Sequence, residues 1–303
     1  MFYWVTFITF DLGSEELKPT VVKVKPEQLD ELRRTLLESK ESSELGTTSE
    51  YELFRIMFAG EAIVAYTSGK VVSNGPYSAA AVQNAIIGMS SSGAAQVVIG
   101  SDEAGKGEWL GPMTVAAVAL TPTQSAMLQS LGVMDSKSMT VVRIAELAKE
   151  VRLNSLQVES LIISPEKFNE QIKEFREEGK NLNDMLAWAH AKVITEVYNS
   201  LKTKDEDIKI VVDQFARVKT EQRLAKKIDL DVVDLVQRPK AEDEIAVAAA
   251  SIVARETREV WLDRASDRFG FDLREVSIHE ADAHSKKDRF TKTSYIDSEL
   301  KKK

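Results

Sequence analysis

Gln96-Val97-Val98-Ile99-Gly100-Ser101-Asp102-Glu103-Ala104-Gly105-Lys106-Gly107-Glu108-Trp109-Leu110-Gly111-Pro112 carries an apolar, β-branched run into two adjacent carboxylates and a glycine-rich turn. A short β-branched run bounded by glycines reads as a buried strand. Neighbouring side chains on a strand point to opposite faces, so Asp102 and Glu103 are expected to converge where the strand ends and glycines bend the backbone. Acidic oxygens with no histidine or cysteine beside them are hard ligands of the kind that suits Mg2+ or Mn2+. Gly105-Lys106-Gly107 would let backbone amides approach a sugar-phosphate. The competing reading is an acidic surface turn.

Gly100 to Lys106 nearly spells a nucleotide-binding P-loop, but residue 107 is glycine where Ser or Thr should hold Mg2+. A P-loop also runs into a helix, whereas Gly111-Pro112 breaks the chain here. Met113-Thr114-Val115-Ala116-Ala117-Val118-Ala119-Leu120 then reads as a second buried strand. The ATPase reading fails on both counts.

Further acids recur in the same setting. Ile208-Lys209-Ile210-Val211-Val212 ends at Asp213-Gln214-Phe215, which puts Asp213 at the carboxyl end of a strand, where open α/β sheets build their sites. Arg238-Pro239-Lys240-Ala241-Glu242-Asp243-Glu244 leads into Ile245-Ala246-Val247-Ala248-Ala249-Ala250-Ser251-Ile252-Val253-Ala254-Arg255, a helix small enough to pack flat on a sheet. Glu242 is a fourth candidate ligand. It is equally placed to be a partner of the helix dipole, and Asp243 and Glu244 compete with it for either role.

These segments, with Asp135-Ser136-Lys137, resemble the type 2 ribonuclease H family over roughly residues 96 to 260. The ribonuclease HIII branch matches better: it carries Asp-Gln-Phe at the third acid, glutamate at the fourth, and an Asn-Leu-Asn helix like Asn181-Leu182-Asn183-Asp184-Met185-Leu186-Ala187-Trp188-Ala189-His190. The resemblance implies an α/β fold, a ribonuclease H-like mixed sheet flanked by helices, preceded by an N-terminal α+β domain like the TATA-box-binding protein. It implies hydrolysis of the RNA strand of an RNA/DNA hybrid duplex with two metal ions, Mg2+ or Mn2+, leaving 5′-phosphate and 3′-hydroxyl ends. Asp102, Glu103, Asp213 and Glu242 would be the catalytic ligands. Gly105, Lys106 and Gly107 would read the 2′-hydroxyl, Ser136 and Lys137 would contact phosphates, and Asn183 would also face substrate. The HII branch uses a tyrosine in a Gly-Tyr-Gly segment at DNA–RNA junctions. No Gly-Tyr-Gly occurs in this chain, so ribonucleotide tracts are expected to be cut in preference to a single embedded ribonucleotide.

Residues 1–92 read as a separate substrate-binding unit and 93–303 as the catalytic domain, with Ser90-Ser91-Ser92-Gly93 as linker. In the first unit the pattern predicts strands at Phe2–Phe10, Leu53–Phe58 and Ala62–Thr67, helices at Pro26–Glu41 and Ser78–Met89, and a polar loop at Ser42–Ser49. A dimerisation module is the alternative role for this unit.

The absence of cysteine suits a reducing interior, and no run approaches a membrane span, so a cytoplasmic location with no membrane association and no obligate protein partner is expected. The net charge of −8 weighs against nucleic-acid binding, although a bound cation would offset part of it. Lys286–Lys303 has seven basic and three acidic residues and reads as a solvated, disordered end rather than a backbone contact. Likeness to the family weakens beyond Arg264. His190 reads as structural or close to substrate, Trp109 as packing, and His279 and His284 lie too far apart on a helix to share a metal. A catalytically silent nucleic-acid-binding protein and a different two-metal nuclease are the rival functions.

Overall fold

The computed structural model describes residues 19–90, 96–134, 139–201, 207–213, 217–239 and 241–300. The predicted strand Phe2–Phe10, most of the linker, and Ser136 and Lys137 lie outside the described residues. The chain divides into two compact units, Met1–Ala85 and Ile86–Lys303.

In the first unit, β1 (Thr20–Lys23), β2 (Ser42–Leu45), β3 (Glu52–Phe58), β4 (Glu61–Tyr66) and β5 (Lys70–Ser73) form an antiparallel sheet in the order β1-β5-β4-β3-β2. Helix α1 (Leu29–Leu37) supplies Leu29, Leu32 and Leu36 to the core with Phe54, Ile56, Ile63 and Val71, a heptad-like stripe meeting the alternate residues of strands. Helix α2 (Pro76–Ser90) spans the division between the units, and its first turn is fastened to β4 where the Ser78 amide donates to the Glu61 carboxylate at 2.7 Å. One sequence expectation fails here. Ser42–Leu45 is not loop but an edge strand paired with β3, because backbone pairing at an edge needs no apolar side chains and favours polar ones.

The second unit is built on a mixed sheet of β6 (Val97–Ala104), β7 (Met113–Leu120), β8 (Gln157–Ile163), β9 (Ile208–Asp213) and β10 (Val233–Arg238), ordered β10-β9-β6-β7-β8. Strands β6, β9 and β10 are paired in parallel, β7 runs against them, and β8, antiparallel to β7, runs in their direction again. All eight residues of β7 are buried, which explains why its sequence is an unbroken apolar run without alternation.

Helices cover both faces. On one lie α5 (Pro165–Glu177) and α6 (Leu182–Ser200), packed on Val97, Ile99, Val115, Ala117 and Ala119. On the other lie α4 (Val141–Asn154) and α8 (Ile245–Phe269), packed on Ala116, Val118 and Leu120. The alternation along β6 therefore assigns odd residues to the α6 side and even residues to the α8 side. Shorter helices α3 (Pro122–Ser130), α7 (Arg217–Leu224), α9 (Ile278–Ala283) and α10 (Thr293–Leu300) complete the unit. Gly100 lies on the α8 side, and a Cβ there would sit 2.2 Å from the Ala246 carbonyl carbon and the Val247 nitrogen. The first glycine of the P-loop-like string thus serves backbone-to-backbone packing of a helix on a strand.

Candidate active site

Strand β6 continues through both acids to Ala104, paired with β7 all the way. The expected bend at Asp102-Glu103 does not occur; the backbone turns at Gly105, whose φ of 77° is open to glycine at little cost and whose Cβ position is 2.3 Å from the Pro112 carbonyl. The two acids therefore stay on opposite faces, each met by the helix on its side. Asp102 is buried and linked to Ser251 of α8, while its Oδ1 accepts the Glu103 amide at 2.8 Å. Glu103 Oε2 meets His190 Nε2 of α6 at 3.0 Å, and its Oε1 meets Lys106 Nζ at 3.2 Å.

The electrostatics of the pair diverge accordingly. Burial pushes the Asp102 carboxyl well above the usual range, and the charges of Glu103 and Glu242 push the same way. Burial acts on Glu103 as well, but the hydrogen bond and charge of His190, together with Lys106, outweigh it and hold Glu103 well below its usual value.

Asp213 stands at the end of β9, one residue beyond the Ser101–Val212 pairing with β6, and its Oδ1 is 3.5 Å from the Ala241 amide. That amide opens the 3-10 turn Ala241–Asp243 carrying Glu242. Of its rivals, Asp243 is exposed and ion-paired with Arg238, and Glu244 is the N-cap residue of α8. Glu242 is among the main charges acting on Asp102. The acids thus lie along the carboxyl edge of three parallel strands. Among the described residues, no three His, Asp or Glu side chains are gathered closely enough to hold an ion as they stand. The donor set nevertheless suits a hard cation: it consists of carboxylate oxygens, and a buried carboxyl made hard to ionise by two like charges is relieved by a cation.

Lys106 reaches Glu103, and Gly107 has open space around its Cβ position. Asn183 is exposed in the first turn of α6, where its amide donates to the Asn181 cap at 3.0 Å; among the described residues, nothing ties it to the acids.

Sequence reasoning missed the bracing of the loop after β6. Lys292 is fully buried, its Nζ donating to the Gly111 carbonyl at 2.6 Å and its amide to the Trp109 carbonyl at 2.7 Å. Tyr295 donates its hydroxyl to the Lys106 carbonyl at 2.8 Å. Arg258 of α8 ion-pairs with Glu108 and donates to the Leu110 carbonyl at 3.1 Å. The reading of Lys286–Lys303 as a disordered end is overturned, since the chain is folded through Leu300 and Phe290–Tyr295 straps the loop. Burial of Lys292 was illegible because lysine is expected outside. Trp109 packs as expected, and His284 joins Phe269, Phe271 and Phe290 in an aromatic cluster rather than a metal site.

A mixed sheet with helices on both faces and acids along the carboxyl edge of its parallel strands defines a ribonuclease H-like α/β domain. Residues 99–297 match the family model Ribonuclease HII, so the family likeness runs through the C-terminal segment and does not stop near residue 260. Ribonuclease HIII of Streptococcus thermophilus is 31% identical over 84% of each chain, and that of Bacillus mycoides is 34% identical over 75% of this chain and 72% of its own. Ribonuclease HIII of Protochlamydia amoebophila is 39% identical over 58% of this chain and 55% of its own, so the matched stretch is about half the length of that relative. Bst-RNase HIII in complex with Mn2+ shares the fold, with a TM-score of 0.58 at 22% identity, covering 94% of this chain and all of that one. The chain belongs to the type 2 ribonuclease H family, on its ribonuclease HIII branch.

Proposed function

We propose that the chain is an endoribonuclease that hydrolyses the RNA strand of RNA/DNA hybrid duplexes with divalent cations. The observation that carries this is the placement of Asp102, Glu103, Asp213 and Glu242 along one sheet edge, with Asp102 forced up by burial and then by the charges of Glu103 and Glu242. These four would hold two ions, Mg2+ or Mn2+; Bst-RNase HIII, a relative in fold, was crystallised with Mn2+. Cations bound there supply Lewis-acid assistance to attack of water on the phosphodiester and to departure of the 3′-oxygen, leaving 5′-phosphate and 3′-hydroxyl ends.

The chain's own residues do the rest. Lys106 and the flexible glycines on either side of it present backbone to the RNA strand and read its 2′-hydroxyl, Ser136 and Lys137 contact phosphates, and Asn183 is a further substrate contact. Residues 1–92 hold the duplex, and 93–303 carry the chemistry. No helix among the described residues is long and apolar enough to cross a membrane; action in the cytoplasm without an obligate protein partner completes the proposal.

Specificity for ribonucleotide tracts belongs to the same reading. Tyr295 is the first tyrosine after Tyr198, and its hydroxyl is engaged by the Lys106 carbonyl, its ring tilted against Phe168. It acts as a brace rather than a platform for a junction.

Labelled RNA/DNA hybrid, RNA/RNA, DNA/DNA and a duplex with one ribonucleotide, each offered with Mg2+ and with Mn2+, test this. Cleavage of the hybrid alone, with the single-ribonucleotide duplex much slower, is expected. Equal rates on the hybrid and on the single-ribonucleotide duplex would overturn the specificity, and no cleavage of hybrid with either ion would overturn the activity.

A further inference from the structure

His190 is wholly buried on α6, yet its ring is not enclosed by apolar groups alone. Nδ1 lies 2.8 Å from the Ser101 hydroxyl, which is itself 2.8 Å from the Ala116 carbonyl. At the other end of the ring, Nε2 lies 3.0 Å from Glu103 Oε2. A carboxylate only accepts, so Nε2 carries the hydrogen and donates it. Ser101 and Glu103 are both odd residues of β6 and share the face that α6 covers, which lets one ring touch both. The ring is therefore held at two points, by a side chain of the strand's fully buried stretch and by the acid two residues on.

Glu103 in turn has its two oxygens committed differently. Oε2 faces His190, which is fixed in the core. Oε1 faces Lys106 at 3.2 Å, on a glycine-flanked loop and with about a third of its side chain (36%) exposed. One partner is anchored in the core and the other sits on a part-exposed side chain of a loop. Resting on the reading of Glu103 as a cation ligand, we propose that His190 is a positioning residue: it clamps Oε2 of Glu103 so that Oε1 is the oxygen offered to a divalent cation, which displaces Lys106. Groups that orient ligating carboxylates in this way are worth about 10–100-fold in metal affinity.

Calorimetric titration of the full chain with Mn2+ at one fixed pH tests the clamp. Glutamine at 190 keeps a donor where Nε2 sits, whereas asparagine keeps only the reach of Nδ1. His190→Asn and His190→Ala are expected to weaken Mn2+ binding about 10–100-fold, with His190→Gln close to the parent. The Mn2+ concentration giving half-maximal hybrid cleavage should move by the same factor, with KM for hybrid at saturating Mn2+ unchanged. A His190→Asn variant with parental circular dichroism that binds Mn2+ as tightly as the parent overturns the clamp, as does a folded His190→Gln variant as weak as His190→Ala. Ser101→Ala frees the ring at Nδ1 and should weaken binding severalfold; if the His190 variants do not fold, unchanged binding by Ser101→Ala overturns the proposal. Asp102→Asn separates the two levels. Parental Mn2+ binding by Asp102→Asn would remove the cation site itself, whereas its loss alongside parental binding in the folded His190 variants would remove only the clamp.

Discussion

Asp102 and Glu103 are one peptide apart and live in opposite environments. Asp102 faces α8 with a hydroxyl partner and two like charges nearby; Glu103 faces α6 with His190 and Lys106. Asp102→Asn keeps the shape and removes the ionisable group, so hybrid turnover should fall by roughly 10²–10³-fold or more, with circular dichroism and duplex binding retained. Among the acids before α8, only Glu242→Gln should do the same; Asp243→Asn breaks an exterior ion pair with Arg238, and Glu244→Gln alters a residue that caps the helix through its backbone. Lys292 makes a prediction in pH. Burial, reinforced by Arg258 and opposed by Glu108, lowers its amine to about 7. The unfolded chain therefore holds a proton that the folded one has released between about pH 7 and 10. Stability rises with pH across that window, and the cost of the buried charge is fully present below it. Relative to Lys292→Met, the parent should gain on the order of 2–4 kcal/mol between pH 7 and 10, read by denaturant melts of both proteins; parallel curves would sink this account.

Among the elements, the contact of β6 with α8 sets the height of the site. Gly100→Ala would drive a methyl into the α8 backbone at 2.2 Å, and neither partner is a movable side-chain end. A loss of about 3 kcal/mol or more is expected, measured by urea unfolding, and a small loss would mean the helix lifts without consequence. The strands and the helix behind this contact were legible in sequence because periodicity and small-residue content report directly on burial: β6, β7, β9 and α8 fall where the apolar runs do. Glu242 and Asp213 were legible as acids at strand and helix ends. The edge strand Ser42–Leu45 was not, since its side chains say nothing of a pairing made by backbone. Nor was the strap at Phe290–Tyr295, whose contacts to Trp109, Gly111 and Lys106 are long-range and whose buried cation contradicts composition. Opposite facing of Asp102 and Glu103 follows from strand alternation, but only once the strand is known to run past them.

For the whole molecule, α2 spans the division of the chain, its first turn fastened to Glu61 of the N-terminal unit. A fragment starting at residue 93 loses that helix and the sheet before it while keeping both cores of the mixed sheet. It should fold alone and lose far more hybrid affinity than saturated turnover, as read by binding isotherms and by kcat on the same substrate. Equal affinity in fragment and full chain would point instead to dimerisation, visible in sedimentation.

The strap also bears on how the protein is born. Tyr295 and Lys106 are 189 residues apart, and Lys292 and Gly111 are 181 apart. At roughly 5–20 residues per second on the ribosome, about 10–40 s separate synthesis of the glycine loop from synthesis of its brace. All four acids are made before residue 290. A nascent chain therefore carries all four acids for some time before the loop beside them is secured, and an interrupted translation product ending before the strap would have the acids without the latch that fixes the glycine loop.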